Sequence, residues 1–75
     1  VAVGFTELEL RRETERYGAV AQAFSSYQSF RRGETTPFSR GINSIQLFWD
    51  GQRWWIMSIF WDAERPGNPL PAAFE

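Results

Sequence analysis

Catalysis and tight binding draw on few side chains, and this sequence lacks several of them. It contains no histidine and no cysteine, which removes the commonest metal ligand, the usual general base and any thiolate nucleophile. Carboxylates, hydroxyls and amides remain. Asp62 and Glu64 stand two apart after an apolar run. That spacing suits an acid–base pair, and it suits equally a charged strand exit paired to Arg65 or Arg40. Tyr27 could donate its hydroxyl to a ligand oxygen, although a core tyrosine with a satisfied hydroxyl is the commoner arrangement. Gln22, Ser26, Asn43 and Gln46 sit within apolar stretches, where an unpaired polar group costs about 1–3 kcal/mol. They either hydrogen-bond the core together or orient a small ligand.

Other chemistries find no support. Gly33, Gly41 and Gly51 are isolated, so no glycine-rich phosphate loop exists. Glu7, Glu9, Glu13 and Glu15 alternate with Arg11, Arg12 and Arg16, which reads as a solvated, self-paired face rather than a metal site. No metal or cofactor is implied, and no catalytic set is visible. All eight basic residues are arginine and are offset by nine acids, for a net charge of -1. The aromatics adjoin Ile and Met rather than Arg, so no nucleic-acid partner is expected. No run approaches the ~20 apolar residues that span a bilayer, so no membrane partner is expected either. The chain opens on Val1 rather than Met, which reads as processed or cut from something longer. The absence of a basic-then-apolar leader and of cysteine fits the cytoplasm.

The elements that must position these groups are strands. The 75 residues, 43% hydrophobic and 17% aromatic, suit one folded domain rather than a disordered tail. Phe5 to Arg16 alternates in part, with Phe5, Glu7 and Glu9 expected on one face and Leu8, Leu10 and Arg12 on the other. A helix over Glu7 to Arg16 competes on propensity but lacks the i, i+3, i+4 apolar stripe. Tyr17-Gly18 predicts a turn, and Ala19 to Phe30 a strand with small residues on one face. Arg31 to Arg40 reads as a loop. Ile42 to Trp49 and Arg53 to Trp61 flank Asp50-Gly51, the strongest hairpin signal in the chain. The expected architecture is an antiparallel four-stranded meander over residues 1–65. A proline-rich tail over 66–75 should drape over the surface or fray.

Alternation places Trp54, Ile56, Ser58 and Phe60 on one face of the last strand, and Trp55, Met57, Ile59 and Trp61 on the other. Neither set is polar, whereas a half-solvated antiparallel strand alternates. Both faces therefore need cover, which 75 residues cannot supply twice. The second set is the candidate interface for another copy of the sheet, because exposed apolar patches usually mark one.

The stretch Arg40 to Arg65, RGINSIQLFWDGQRWWIMSIFWDAER, resembles the closing hairpin of the nuclear transport factor 2-like superfamily. The likeness is to its small bacterial SnoaL-like and ketosteroid-isomerase-like members, and Arg16 to Gln28, RYGAVAQAFSSYQ, looks like the strand before that hairpin. The resemblance implies an α+β, cystatin-like cone of which this chain is the mostly β portion, a curved meander without its N-terminal helices. It implies homodimerisation through the sheet and a pocket for a small apolar ligand on the side of the hairpin tryptophan. On that basis the pocket candidates are Tyr27, Gln22, Ser26, Trp54, Ser58 and Phe60. An enzyme acting on an apolar carbonyl compound and a pure interaction module are the alternatives. Phe60 stands where some members carry a histidine, and it cannot transfer protons.

Overall fold

The computed structural model describes Phe5–Glu75; Val1, on which the expectation of a processed start rests, lies outside the described residues. Four strands form one open antiparallel sheet in sequence order: β1 (Phe5–Tyr17), β2 (Val20–Arg31), β3 (Ser39–Trp49) and β4 (Trp54–Ala63). The expected meander is present. β1 is built of good helix formers, yet it pairs with β2 along its length. Tertiary pairing overrides the weak local preference.

Two hairpins close the same end of the sheet. Tyr17 pairs with Val20 across Gly18-Ala19, and Gly18 takes φ 55 while among the described residues only glycines have positive φ. Positive φ at the first loop position alone is the pattern of a type II′ turn. Asp50-Gly51 does make a hairpin, but inside a four-residue loop, so β4 starts at Trp54 rather than Arg53. The Asp50 carboxylate organises that loop. It accepts from the Gln52 and Arg53 amides at 2.8 and 3.0 Å and from the Trp55 indole N–H at 2.6 Å. The indole, more than the amides, holds its carboxyl below the ordinary value.

Two bulges change which residues share a face. On β1 the pairing slips between Glu9 and Arg11, leaving Leu10 unpaired and turning Arg12 to the side of Glu9. The two form an ion pair at 3.0 Å, so the expected opposition of Glu9 and Arg12 is corrected. On β4, Gln46 pairs with Ser58 while Leu47 pairs with Ile56, which leaves Met57 as the extra residue. One inserted residue inverts the alternation beyond it. Directly opposed residues share a face. Trp54, Ile56, Ile59 and Trp61 therefore join Ile45, Leu47 and Trp49 on one side, the tryptophan face. Trp55, Ser58 and Phe60 join Gln46 and Phe48 on the other.

That other side carries the tail. Ser26 is fully buried; its hydroxyl accepts from the Arg11 amide at 3.1 Å beside the bulge and donates to the Phe74 carbonyl at 2.7 Å. Phe74 packs on Phe24 with ring centroids 6.3 Å apart, Leu70 is 7% exposed, and Ala72–Phe74 forms a 3-10 turn. The tail is docked across the sheet and does not fray.

The sheet remains one layer thick, with extents of 42 × 31 × 15 Å. The only buried apolar residues among those described are Ala23, Tyr27 and Leu70. The chain exposes 5886 Å², against about 4,700 Å² for a compact protein of its mass. No helix among the described residues is long and apolar enough to cross a membrane.

An ion pair anchors the tail. Arg40 donates to both Glu64 oxygens at 2.9 and 2.8 Å, and the Leu70 amide donates to one of them at 3.0 Å. Arg40 first and Leu70 second lower the Glu64 carboxyl from its ordinary 4.5 to about 2. A depressed folded value means that the contribution is complete above pH 4.5 and lost as pH falls through about 2. Hydrogen exchange should show the Leu70 amide losing protection across that window. Glu64→Gln should remove the step, separating this group from Glu9, Asp50 and Asp62, which are also lowered. Protection unchanged down to pH 2 would contradict the anchor.

Candidate functional site

Tyr27 is the best-positioned polar aromatic. It lies opposite Gly41 on β3 and is 8% exposed. A Cβ added at Gly41 would come within 2.6 Å of the Tyr27 hydroxyl oxygen and would also strike the Asp62 backbone carbonyl. The ring therefore lies flat over bare backbone, a place that only glycine leaves open. Its hydroxyl is carried across β3 towards β4.

Around it opens a depression of about 510 Å³ on the tryptophan face, lined by Tyr27, Asn43, Glu7, Ile45, Ile59 and Trp61 among others. One wall is apolar and the other carries a phenol, an amide and a carboxylate. Such a mixture orients a small, mostly apolar ligand through one or two polar atoms. Phe38, from the loop after β2, closes one side. It stacks edge-on against Phe5 at 6.2 Å and lies under the Arg31 guanidinium at 4.4 Å.

At the hairpin end of the same face Trp54 meets Trp49 at 5.6 Å, and Arg16 reaches over the Trp54 ring at 4.8 Å. The Trp55 ring carries Arg53 at 3.4 Å. A second depression, of about 550 Å³, lies near that end, where Val20, Gln22, Phe48 and Met57 meet.

The candidate residues are thus divided between sites. Tyr27 and Trp54 share the tryptophan face, whereas Gln22, Ser26, Ser58 and Phe60 lie on the tail face, because the Met57 bulge and the β2 alternation separate them. Gln22 donates to Glu15 at 2.8 Å, and Ser58 donates to Gln46 at 2.9 Å. Ser26 is sealed beneath the tail. The interface candidates divide likewise: Ile59 and Trp61 line the Tyr27 depression, Met57 lines the other, and Trp55 is on the tail face. Asp62 and Glu64 are taken up by Arg65 and Arg40 at 2.7 and 2.8 Å, the strand-exit arrangement rather than an acid–base pair. Glu7 and Phe38 were not singled out as site residues from the sequence. Glu7 shares the parity of Tyr27 through its partner Ser29, whereas Phe38 sits in a loop with no periodicity to read.

Among the described residues no group of His, Cys, Asp and Glu is arranged to hold a metal ion. The chain matches no protein-family model, no curated protein and no solved structure.

Gly41→Ala should overpack this site, because the Asp62 carbonyl belongs to the paired backbone and cannot yield. The expected loss is about 1–3 kcal/mol, with Tm falling by about 4–8 °C per kcal/mol in a chain of this size. An unchanged Tm would contradict the placement of Tyr27 over Gly41.

Proposed function

We propose that this chain is the sheet of a small-ligand-binding, homodimeric domain of the nuclear transport factor 2-like type. In this reading a second layer closes the tryptophan face over the Tyr27 depression, and an apolar ligand with a carbonyl or similar acceptor lies between them. The observation that carries it is a sheet 15 Å thick whose tryptophan face is apolar and bare around a phenol. A surplus of roughly 1,200 Å² over a compact chain of this mass exceeds the ~800 Å² that one partner contributes to a standard interface. The depression of about 510 Å³ falls in the range of roughly 300–1,000 Å³ that small ligands occupy. The likeness of Arg40 to Arg65 to the superfamily's closing hairpin supports the same reading.

Glu7 favours a second reading. Its carboxylate shares the depression with Tyr27 and Asn43, so a base and a hydrogen-bond donor could act together on an apolar carbonyl compound.

Thermal melting with fluorenone, a rigid apolar ketone, tests both readings. Binding should raise Tm. Tyr27→Phe should leave the free protein's Tm nearly unchanged and weaken binding by about 2- to 13-fold, the worth of one hydrogen bond. Exchange of α-protons from cyclohexanone into deuterated water should be accelerated, and Glu7→Gln should abolish that acceleration, if the second reading holds. No Tm shift and no exchange would leave assembly as the sheet's only role and overturn both.

A further inference from the structure

The two edges of the sheet are built differently. β1 carries Glu7, Glu9, Arg11, Arg12, Glu13, Glu15 and Arg16 and is kinked by a bulge. Charges and bulges are the usual means of keeping an edge strand from pairing with another chain. β4 has no charged residue from Trp54 to Trp61. Its ends are nevertheless blocked. At one end lies the Met57 bulge. At the other, the Ala63 carbonyl accepts from the Arg65 guanidinium at 2.9 Å and from the Asn68 side-chain amide at 3.1 Å.

Between those blocks the direction of each backbone group is set. Glu64 donates inward to the Arg40 carbonyl at 2.6 Å, and the Ala63 carbonyl is taken from outside. In an antiparallel strand the N–H and C=O of one residue point the same way and alternate with the next. Asp62, Phe60 and Ser58 therefore bond to β3, while Trp61 and Ile59 offer their N–H and C=O to the open edge. This window is symmetric about Phe60, since Met57 and Ala63 lie equally far from it.

From this symmetry we infer that a second copy of the chain joins along the β4 edge, antiparallel to the first, with the two-fold axis at Phe60. Ile59 then faces Trp61 of the other copy and exchanges backbone hydrogen bonds with it. Phe60 meets its own counterpart as a non-hydrogen-bonded pair, and each Met57 bulge lies opposite a capped Ala63. Like residues that meet at a two-fold must not repel, and here they are uncharged. The pairing covers side chains that are exposed in the single chain: Phe60 at 68%, Trp61 at 69% and Ile59 at 43%. Two tryptophan faces become one continuous apolar floor. The inference rests on the homodimer in the function proposed above and is independent of its ligand.

The chain has no cysteine, so one introduced thiol reports contact with a second copy. Cα atoms of a non-hydrogen-bonded antiparallel pair lie about 4.5 Å apart, within disulfide reach. Phe60→Cys should cross-link into a covalent dimer under mild oxidation at micromolar concentration, whereas Ser44→Cys, one strand inward on the same face, should not. Ile59→Pro removes an N–H that β3 does not use. It should therefore turn a sedimenting dimer into a monomer while keeping the strand signal in circular dichroism. A wild-type chain that sediments as a monomer overturns both the homodimer and this interface. A wild-type dimer in which Phe60→Cys cross-links no better than Ser44→Cys overturns the interface alone.

Discussion

Successive side chains of a β-strand leave on opposite sides, so a strand that is apolar at nearly every position must be covered twice. β4 is such a strand, and the chain's other features answer to that demand. On the tail face the answer is internal but partial: Leu70 and Phe74 are laid across β3 and β2 and tied down through Ser26 and Glu64, while Trp55 and Phe60 stay exposed. On the tryptophan face no comparable element arrives among the described residues. Phe38 and the Arg16 guanidinium cover its corners, leaving Ile45, Ile59 and Trp61 around a phenol. The gathering of Ile59 and Trp61 around the Tyr27 phenol is the physical ground for reading this face as the functional one. Neither side is finished by the described residues: Phe24, Phe48, Trp55 and Phe60 on the tail face stay exposed, as do Ile59 and Trp61 on the other.

The bulges decide what each side contains. Without Met57 as an extra residue, Ile59 and Trp61 would lie on the tail face and Tyr27 would face Ser58 and Phe60. With it, the Tyr27 depression has an apolar wall and the polar Ser58–Gln46 pair is moved to the other side. The β1 bulge has a similar local effect. It frees the Arg11 amide, which Ser26 accepts while donating to the tail. A single serine thus links the edge irregularity, the interior of β2 and the chain's last turn. Gly41 makes the remaining adjustment by admitting the Tyr27 ring against bare backbone.

Much of this was legible in the residues. Strand order, the two hairpins, the loop after β2 and the excess of apolar groups on both faces follow from alternation and turn chemistry. The strand-exit pairing of Asp62 and Glu64 was one of two stated options. The bulges were not legible, because one extra residue leaves composition and local propensity unchanged while reversing every assignment beyond it. That is why Trp54 is parted from Ser58 and Phe60, and Trp55 from Ile59 and Trp61; the separation of Tyr27 from Gln22 and Ser26 is plain alternation along β2. Draping of the tail was one of two expectations; its anchor was hidden, because it depends on a buried hydroxyl meeting the Phe74 carbonyl, a contact that no pattern in the prolines announces. The resemblance of Arg40 to Arg65 to a family hairpin bears on fold more than chemistry. The identity of any ligand has no signature in these residues.

The central claim is that the tryptophan face is a surface made to be covered. Small-angle scattering of the wild-type chain over a concentration series, with a hydrophobic dye added in parallel, tests it most directly. The account predicts a particle heavier than the 8.7 kDa chain that still binds the dye, because edge pairing joins two tryptophan faces without covering them. A particle of 8.7 kDa at every concentration, binding no dye, would contradict it.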